Sequence, residues 1–433
     1  MMISYSLLAM PMAIIVMPIY LHLASFYLNI VGLPVIITAS ILIIGRIFDC
    51  ITDPIIGYYC DYFYRKKITR IALINFLMVI LVILFYFLFN PPLALSQYAS
   101  AIYLAIILTL FYFTFSALSI NYEALAIDIA GNDSKLRNKL ISCRESFQIV
   151  GTLLSAILPT IIIYLNKNSK TYDESLSQLW LVALLFMVPS LIAVNLISSK
   201  IALISSSQLY ISQKTKFLLN VIKNRAFLNL LLIYLINSIG VAIPALLIRF
   251  YVEYYLLALG EMGNFLGLYF LSAIIGIPFW NNIAKRFSII KAWRFSIALS
   301  VVIFIFTALI SRGDSKIFYF ICLFSGFAMG CDLIAPQIIL TTLICKEEFK
   351  ASYFAIFSFI AKLALAIATF ISFILIAKDY SWLIDGGKST INIDILPIVY
   401  CLAPCLIKII TFLILPVLAK NNLSIKKPLM IAN

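Results

Sequence analysis

Charged residues are scarce in this sequence of 433 residues: Asp, Glu, Lys and Arg together make up 12%, and histidine occurs once. Hydrophobic residues make up 64%, more than the interior of an ordinary soluble domain can absorb. The sequence also lacks a phosphate-binding glycine loop, a metal-ligating cluster and a nucleophile–base constellation. These absences exclude an ordinary soluble domain, argue against an enzyme and indicate an integral membrane protein.

Long apolar stretches recur along the chain. Twelve of them fall between residues 4 and 418, and each reaches the roughly 20 residues that a spanning helix needs. A more polar connection, 200–225, separates an amino-terminal half, 1–199, from a carboxy-terminal half, 226–433. Two six-helix halves are typical of the major facilitator fold, in which the substrate site lies near the bilayer midplane. The prediction is therefore an all-α integral membrane protein with 12 transmembrane helices in this fold.

The basic residues are distributed unevenly. If both termini are cytoplasmic, 21 of the 32 Lys and Arg residues lie in cytoplasmic segments and only six lie in outer loops, as the positive-inside rule requires. We therefore expect a protein of the cell (inner) membrane with both termini in the cytoplasm. The same distribution explains the net charge of +14 by topology and by contact with anionic membrane lipids. No nucleic-acid partner is expected.

One predicted span departs from this apolar pattern. The segment 45-GRIFDCITDPIIGYYCDY-62 places five residues at spacings of three or four, on one helix face: Arg46, Asp49, Asp53, Gly57 and Asp61. Ionised groups buried in a membrane are costly and usually mark ion or substrate pathways. Asp49 and Asp53, one turn apart, could chelate a sodium ion together with hydroxyl groups, or could share a proton. In the alternative interpretation Arg46 neutralises one aspartate, and Asp61 caps the basic loop that begins at Arg65.

These residues also carry a family resemblance. The run R-I-F-D-C-I-T-D-P-I-I-G, residues 46–57, resembles the second-helix signature of the glycoside-pentoside-hexuronide (melibiose permease-like) cation symporters. Gly57, Asp61 and Arg65 resemble the loop after helix two of the wider major facilitator superfamily, which implies a structural or gating role. Residues 122-YEALAID-128 and 144-RESF-147 are similar to family patterns on helices four and five. The resemblance covers most of the chain.

The resemblance implies two sets of site residues. The cation site would comprise five oxygen-bearing residues: Asp49, Thr52, Asp53, Ser116 and Ser358. The coupling ion would be Na⁺ or H⁺, and no other metal or cofactor is implied. Arg144 and Lys362 would lie nearby, either as donors to the substrate or as counter-charges to the aspartates.

The predicted substrate site departs from the family pattern. Sugar-binding members carry acids on helices one and four, where this chain has Ala13 and Ser119. Glu123, one turn beyond Ser119, either replaces the second acid or is solvated near the cytoplasmic end. We expect Tyr20 and Tyr122 near a cavity, because aromatic faces stack on sugar rings.

A further acid, Asp332, lies in the predicted tenth span between Gly330 and Pro336. Intramembrane carboxylates are rare and usually functional. Asp332 is interpreted either as a cavity residue or as the partner of a basic residue at a helix interface.

Together these features predict a monomeric secondary transporter. It would import a small polar solute, a sugar or sugar acid, with Na⁺ or H⁺ by alternating access. One alternative is an exporter, or a carrier of a lipid-like or other organic solute, with the same fold, which the missing acids favour. The other is a membrane sensor or enzyme that transports nothing.

Overall fold

The computed structural model describes residues 1–65, 69–92, 95–165, 177–205, 224–308, 310–344, 349–376 and 395–421. Every regular element within these ranges is a helix. The described part of the amino-terminal half contains seven helices: α1 (Met2–Ser6), α2 (Ala9–Asn29), α3 (Val35–Arg65), α4 (Arg70–Phe89), α5 (Gln97–Ala130), α6 (Ser134–Leu165) and α7 (Leu179–Ser205).

The carboxy-terminal half contains seven more α-helices among the described residues: α8 (Arg225–Phe250), α9 (Met262–Arg286), α10 (Ile289–Thr307), α11 (Ser315–Ile344), α12 (Lys350–Ile376), α13 (Leu396–Ile414) and α14 (Pro416–Asn421). A π-helical turn, Tyr251–Tyr255, and a 3₁₀ turn, Leu259–Glu261, connect α8 to α9. Polar caps start several helices, since the side chains of Thr69, Ser96 and Ser288 accept from the amides of Ala72, Ala99 and Lys291.

Ten helical segments of the described chain are long and apolar enough to cross a membrane. The helices α3 and α6 are not among them. The reason is charge, because α3 contains the polar stripe of Arg46 and three aspartates, and α6 begins in a charged stretch. The side chains of α6 from residue 159 onward also lie outside the described residues. The protein is thus an all-helical, multi-pass membrane protein, consistent with the twelve predicted spans.

Two compact units divide the chain. The first consists of Met1–Thr215 and Ile344–Phe359, and the second of Lys216–Leu343 and Ile360–Asn433. The sequence predicted a connection at 200–225 between two halves, and it did not indicate that the start of α12 belongs to the first unit. That segment belongs there because it packs on α3, where Asp61 accepts from the amides of Ala351 and Ser352.

Each unit has its own apolar core. In the first, buried tyrosines tie helices together: the Tyr27 hydroxyl donates to the Leu88 carbonyl at 3.0 Å, beside Phe85 and Phe89. In the second, the Tyr251 and Tyr400 rings stack with centroids 4.2 Å apart, next to Phe318. These cores hold the helices that carry the charged side chains described next.

Candidate cation and solute sites

The α3 helix separates polar from apolar side chains around its axis. Asp49 and Asp53 are buried, with 3% and 0% of their surfaces exposed, whereas Ile51 and Ile55, each two positions further along, are 60% and 53% exposed. Residues three or four apart share a helix face, so the aspartates point into the unit and the isoleucines point outward. The predicted polar stripe is therefore an inward-facing feature of the first unit.

The hydroxyl of Ser116, on α5, reaches the carboxylate of Asp49. Ser116 Oγ donates to Asp49 Oδ1 at 2.8 Å, and both residues are buried. Thr52 directs its hydroxyl to the backbone oxygen of Asp49 at 3.2 Å, and Asp53 lies one turn further along α3. The structure thus brings Asp49, Thr52 and Ser116 together, and these groups offer the oxygen ligands that hard cations prefer.

Arg46 is engaged by aromatic rings. Its guanidinium carbon lies 4.0 Å from the ring centroid of Tyr20 and 5.4 Å from that of Tyr112, and such cation–π contacts stabilise a partly desolvated cation. Tyr20 itself is 44% exposed. Tyr20, which the sequence predicted to bind substrate, thus packs with its ring against Arg46.

Two further predicted site residues lie on α12. Ser358 is half-buried in the first unit, and Lys362 belongs to the second unit. Their roles in cation or substrate binding stay predictions.

Arg144 lies between two carboxylates. It is 3% exposed, and its Nη2 donates to Glu145 Oε1 at 2.7 Å while its Nη1 lies 3.7 Å from Glu123 Oε1. The Glu123 side chain is 21% exposed, so it is mostly buried against Arg144. Ser119 lies half-buried one turn earlier on α5. Sequence reasoning missed Glu145, because adjacent helical residues do not normally face each other.

Tyr122 fixes α1 against α5. Its hydroxyl donates to the backbone oxygen of Tyr5 at 2.8 Å, and the Tyr5 hydroxyl donates to the backbone oxygen of Tyr122 at 3.0 Å. The Arg144 guanidinium carbon lies 5.9 Å from the Tyr122 ring centroid. The ring of Tyr122 therefore packs near Arg144, and its hydroxyl is hydrogen-bonded to the backbone of Tyr5.

A second charged cluster lies at the end of α3. Asp61 accepts from Arg70 Nη2 at 3.0 Å, and its other oxygen accepts from the amide and hydroxyl of Ser352 at 2.9 and 2.8 Å. Asp128 joins the cluster, with Arg70 Nε at 2.8 Å and Lys350 Nζ at 2.8 Å. Asp61 thus caps the first turn of α12, where a carboxylate satisfies free amides and the helix dipole favours negative charge.

Gly57 permits this contact between α3 and α12. A Cβ atom built at Gly57 would lie 2.9 Å from the Cα atom of Ser352 and would overlap the side chain of Ala355. Only glycine allows so close an approach. The side chain of Arg65, predicted to act with Gly57 and Asp61, lies outside the described residues.

Asp332 lies in the second unit, where it has three partners. Its Oδ1 accepts from Trp293 Nε1 at 2.7 Å and from Asn237 Nδ2 at 3.3 Å, and its Oδ2 forms a salt bridge with Lys408 Nζ. Of the two interpretations of Asp332, the structure shows a basic partner at a helix interface, and it also places Asp332 beside a small cavity. Lys408 was not predicted, although a lysine inside the last span was a signal.

Buried carboxylates inside membrane helices are typical of ion and substrate pathways. The chain belongs to the MFS/sugar transport protein family, whose model matches residues 2–418, and it is therefore a membrane transporter and not an enzyme. This confirms the predicted major facilitator family.

Two curated relatives are named as symporters. An uncharacterized symporter from Synechocystis is 31% identical over 147 residues, which cover 33% of this chain and 27% of that protein. A sodium-dependent lysophosphatidylcholine symporter from Gallus gallus is 22% identical over 367 residues, which cover 76% of this chain and 67% of that protein.

Solved structures show the same fold at low identity. A bacterial homologue of the iron transporter ferroportin, in an outward-facing state, is 14% identical, covers 97% of this chain and has a TM-score of 0.67. The same kind of structure with soaked iron has a TM-score of 0.70. At this identity the likeness concerns the fold alone.

Proposed function

We propose that the protein is a cation-coupled symporter that imports a small polar solute, a sugar or sugar acid, by alternating access. The observation that carries this proposal is the Asp49 carboxylate, which is buried in a membrane helix and accepts from the Ser116 hydroxyl at 2.8 Å. Carboxylate and hydroxyl oxygens together are ligands that a hard cation prefers, and a buried carboxylate can instead take up a proton. Because an ionised group in a membrane is costly, Na⁺ or H⁺ would bind here to neutralise it.

The Arg144 cluster is the proposed solute site. Arg144 presents several N–H groups in a fixed fork, a geometry that suits hydroxyl and carboxylate oxygens of a sugar or sugar acid. Glu123, at 3.7 Å from Arg144, is held loosely enough to turn toward a solute hydroxyl. In this proposal Glu123 supplies the acceptor that Ser119 cannot.

The Asp61 cluster would act as a latch. Asp49 and Asp61 lie on the same helix, and 12 residues of α-helix span about 18 Å. Movement of α3 on cation binding would therefore reach the contact with Ser352 and Lys350. In the topology proposed from the basic residues, with both termini in the cytoplasm of a cell-membrane protein, this latch would lie on the cytoplasmic side.

A second candidate function is transport of a lipid-like solute. It is favoured by the similarity over 367 residues to the Gallus gallus relative, a sodium-dependent lysophosphatidylcholine symporter. The absence of acids at Ala13 and Ser119 agrees with it. Both candidates share the cation site and differ only in the solute.

The experiment is a thermal-stability screen of the purified protein. Sugars, sugar acids and lysophospholipids are tested in NaCl and in choline chloride, across pH, on the wild type and on Asp53→Asn. A matched control is Asp314→Asn, because Asp314 lies in the turn before α11 and outside the helices. We expect one solute class to raise the melting temperature only with Na⁺ or at acidic pH, and this effect to be lost in Asp53→Asn alone. Solute binding that ignores cation, pH and Asp53 would contradict the proposal.

A further inference from the structure

A second buried acid lies within the carboxy-terminal unit, far along the sequence from the α3 aspartates. The side chains of Asp332 and Lys408 are only 6% and 7% exposed, and they form a salt bridge between α11 and α13. Trp293 on α10 and Asn237 on α8 donate to the same carboxylate. Four helices of this unit therefore converge on Asp332.

The ion pair borders a cavity of about 30 Å³ within this unit, which is enough for one water-sized occupant. Several oxygen-bearing residues line the cavity among apolar ones. The lining includes Tyr269, Ser300, Ser325 and Gly240 in addition to the ion pair. Pro244 has no N–H to donate to the carbonyl of Gly240 one turn earlier, so that carbonyl lacks its usual helical partner.

Asn237 adds a further oxygen. The residue is 2% exposed, and no described residue donates a hydrogen bond to its Oδ1. A buried amide oxygen without a donor costs free energy unless a cation or water is near. It stands beside the carboxylate to which its own Nδ2 donates.

Carboxylate, carbonyl, amide and hydroxyl oxygens are together the ligand set of a hard cation. In this unit the ammonium of Lys408 supplies the positive charge that contacts the Asp332 carboxylate. We propose that the second unit contains a monovalent-cation site whose resident cation is the Lys408 ammonium. The site is distinct from the α3 site and does not depend on the proposed symport. Replacing Lys408 with an uncharged residue vacates the site, and a free Na⁺ then binds Asp332.

The alternative is a structural salt bridge with no cation site around it. In that case the loss of Lys408 would destabilise the protein equally in any salt, because the Asp332 carboxylate would stay buried and charged without its partner. If a cation site is present, the stability of the Lys408 variants instead depends on which cation the buffer contains. Comparing sodium with a cation too large to enter the cavity therefore separates the two interpretations.

The test uses the full chain in an Asp49→Asn/Asp53→Asn background, so that the α3 site cannot contribute a response to sodium. Into this background are placed Lys408→Met, which keeps the length of the side chain, and Lys408→Gln, which keeps an N–H donor for Asp332. Melting temperatures are measured in NaCl and in choline chloride at equal ionic strength. We expect sodium to raise the melting temperature of both variants by about 3 °C or more. The background with Lys408 intact should show no difference.

A third substitution identifies the ligand. Adding Asp332→Asn to Lys408→Met should remove the sodium response, because the neutral amide no longer attracts a cation. Equal melting temperatures in the two salts for both Lys408 variants would overturn the proposal. So would a failure of both variants to fold in NaCl as well as in choline chloride, since sodium should refill the vacated site. Recovery of folded protein in NaCl alone would support it.

Discussion

The two units treat a buried carboxylate in different ways. In the first, Asp49 receives a neutral hydroxyl from Ser116 at 2.8 Å. In the second, Asp332 receives two neutral N–H donors and the ammonium of Lys408. The hydroxyl is a neutral donor, whereas the Lys408 ammonium brings a positive charge to its carboxylate. On the proposals made above, the first site holds an exchangeable cation and the second holds a fixed one.

The largest expected effect is the loss of stability that follows when the fixed cation, the Lys408 ammonium, is removed. In sodium-free buffer, Lys408→Met should lower the free energy of unfolding by about 3–5 kcal/mol, because it leaves the Asp332 charge buried without its partner. Denaturation of the purified protein in detergent measures this. The double variant Asp332→Asn/Lys408→Met should recover much of the loss.

The matched substitution in the first unit is Asp53→Asn, which should cost far less stability, because it removes a buried charge and keeps the size of the side chain, whereas Lys408→Met leaves the Asp332 charge buried. If Asp53→Asn destabilises the protein as much as Lys408→Met, the distinction between the two sites is wrong.

A smaller loss is expected at the end of α3. Asp61→Asn should destabilise the first unit by about 2–3 kcal/mol, because Arg70 and the first turn of α12 lose an ionised acceptor. Thermal unfolding of the variant beside Asp314→Asn measures this difference. A loss equal to that of the control would show that the cluster contributes nothing.

Gly57 offers a test of the same contact without changing a charge. Gly57→Ala should cost about 1–3 kcal/mol, because the added methyl group meets the backbone of Ser352. Gly45→Ala is the control on the same helix, where the new Cβ meets the edge of the Tyr112 ring at 3.3 Å and the ring can shift. Equal melting temperatures for the two variants would contradict the close packing of α3 on α12.

The smallest effect concerns a single hydroxyl of the exchangeable site. Ser116→Ala should weaken sodium binding by about 5–10-fold, which corresponds to roughly 1 kcal/mol. Calorimetric titration of sodium measures the affinity. Ser155→Ala, which removes a buried hydroxyl that donates to the Ile14 carbonyl, is the control and should leave the affinity unchanged.

The periodicity of the sequence predicted which residues share a helix face, but it did not predict which residues contact each other between helices. The spacing of Asp49, Asp53 and Asp61 predicted one helix face, because that spacing is local and follows from 3.6 residues per turn. The apolar stretches predicted the helices for the same local reason. The long helices α3 and α6 lie outside the set of ten apolar spans because they carry charged residues, which weaken the apolar signal.

Tertiary partners lie beyond such local patterns. Lys408 and Asp332 are 76 positions apart, and Asp61 and Ser352 are 291 apart. Many basic residues could have paired with either acid, and only the packing of the helices selects one. The contact of Arg144 with the adjacent Glu145 was missed for the opposite reason, since neighbours in sequence usually point apart on a helix.

The central claim is that the α3 carboxylates form the exchangeable cation site. The most direct measurement is equilibrium binding of radioactive sodium to the purified wild type and to Asp49→Asn/Asp53→Asn, with protons as competitor. The account predicts a saturable sodium site in the wild type that acidification empties, and no such site in the double variant. Undiminished sodium binding by the double variant would contradict it.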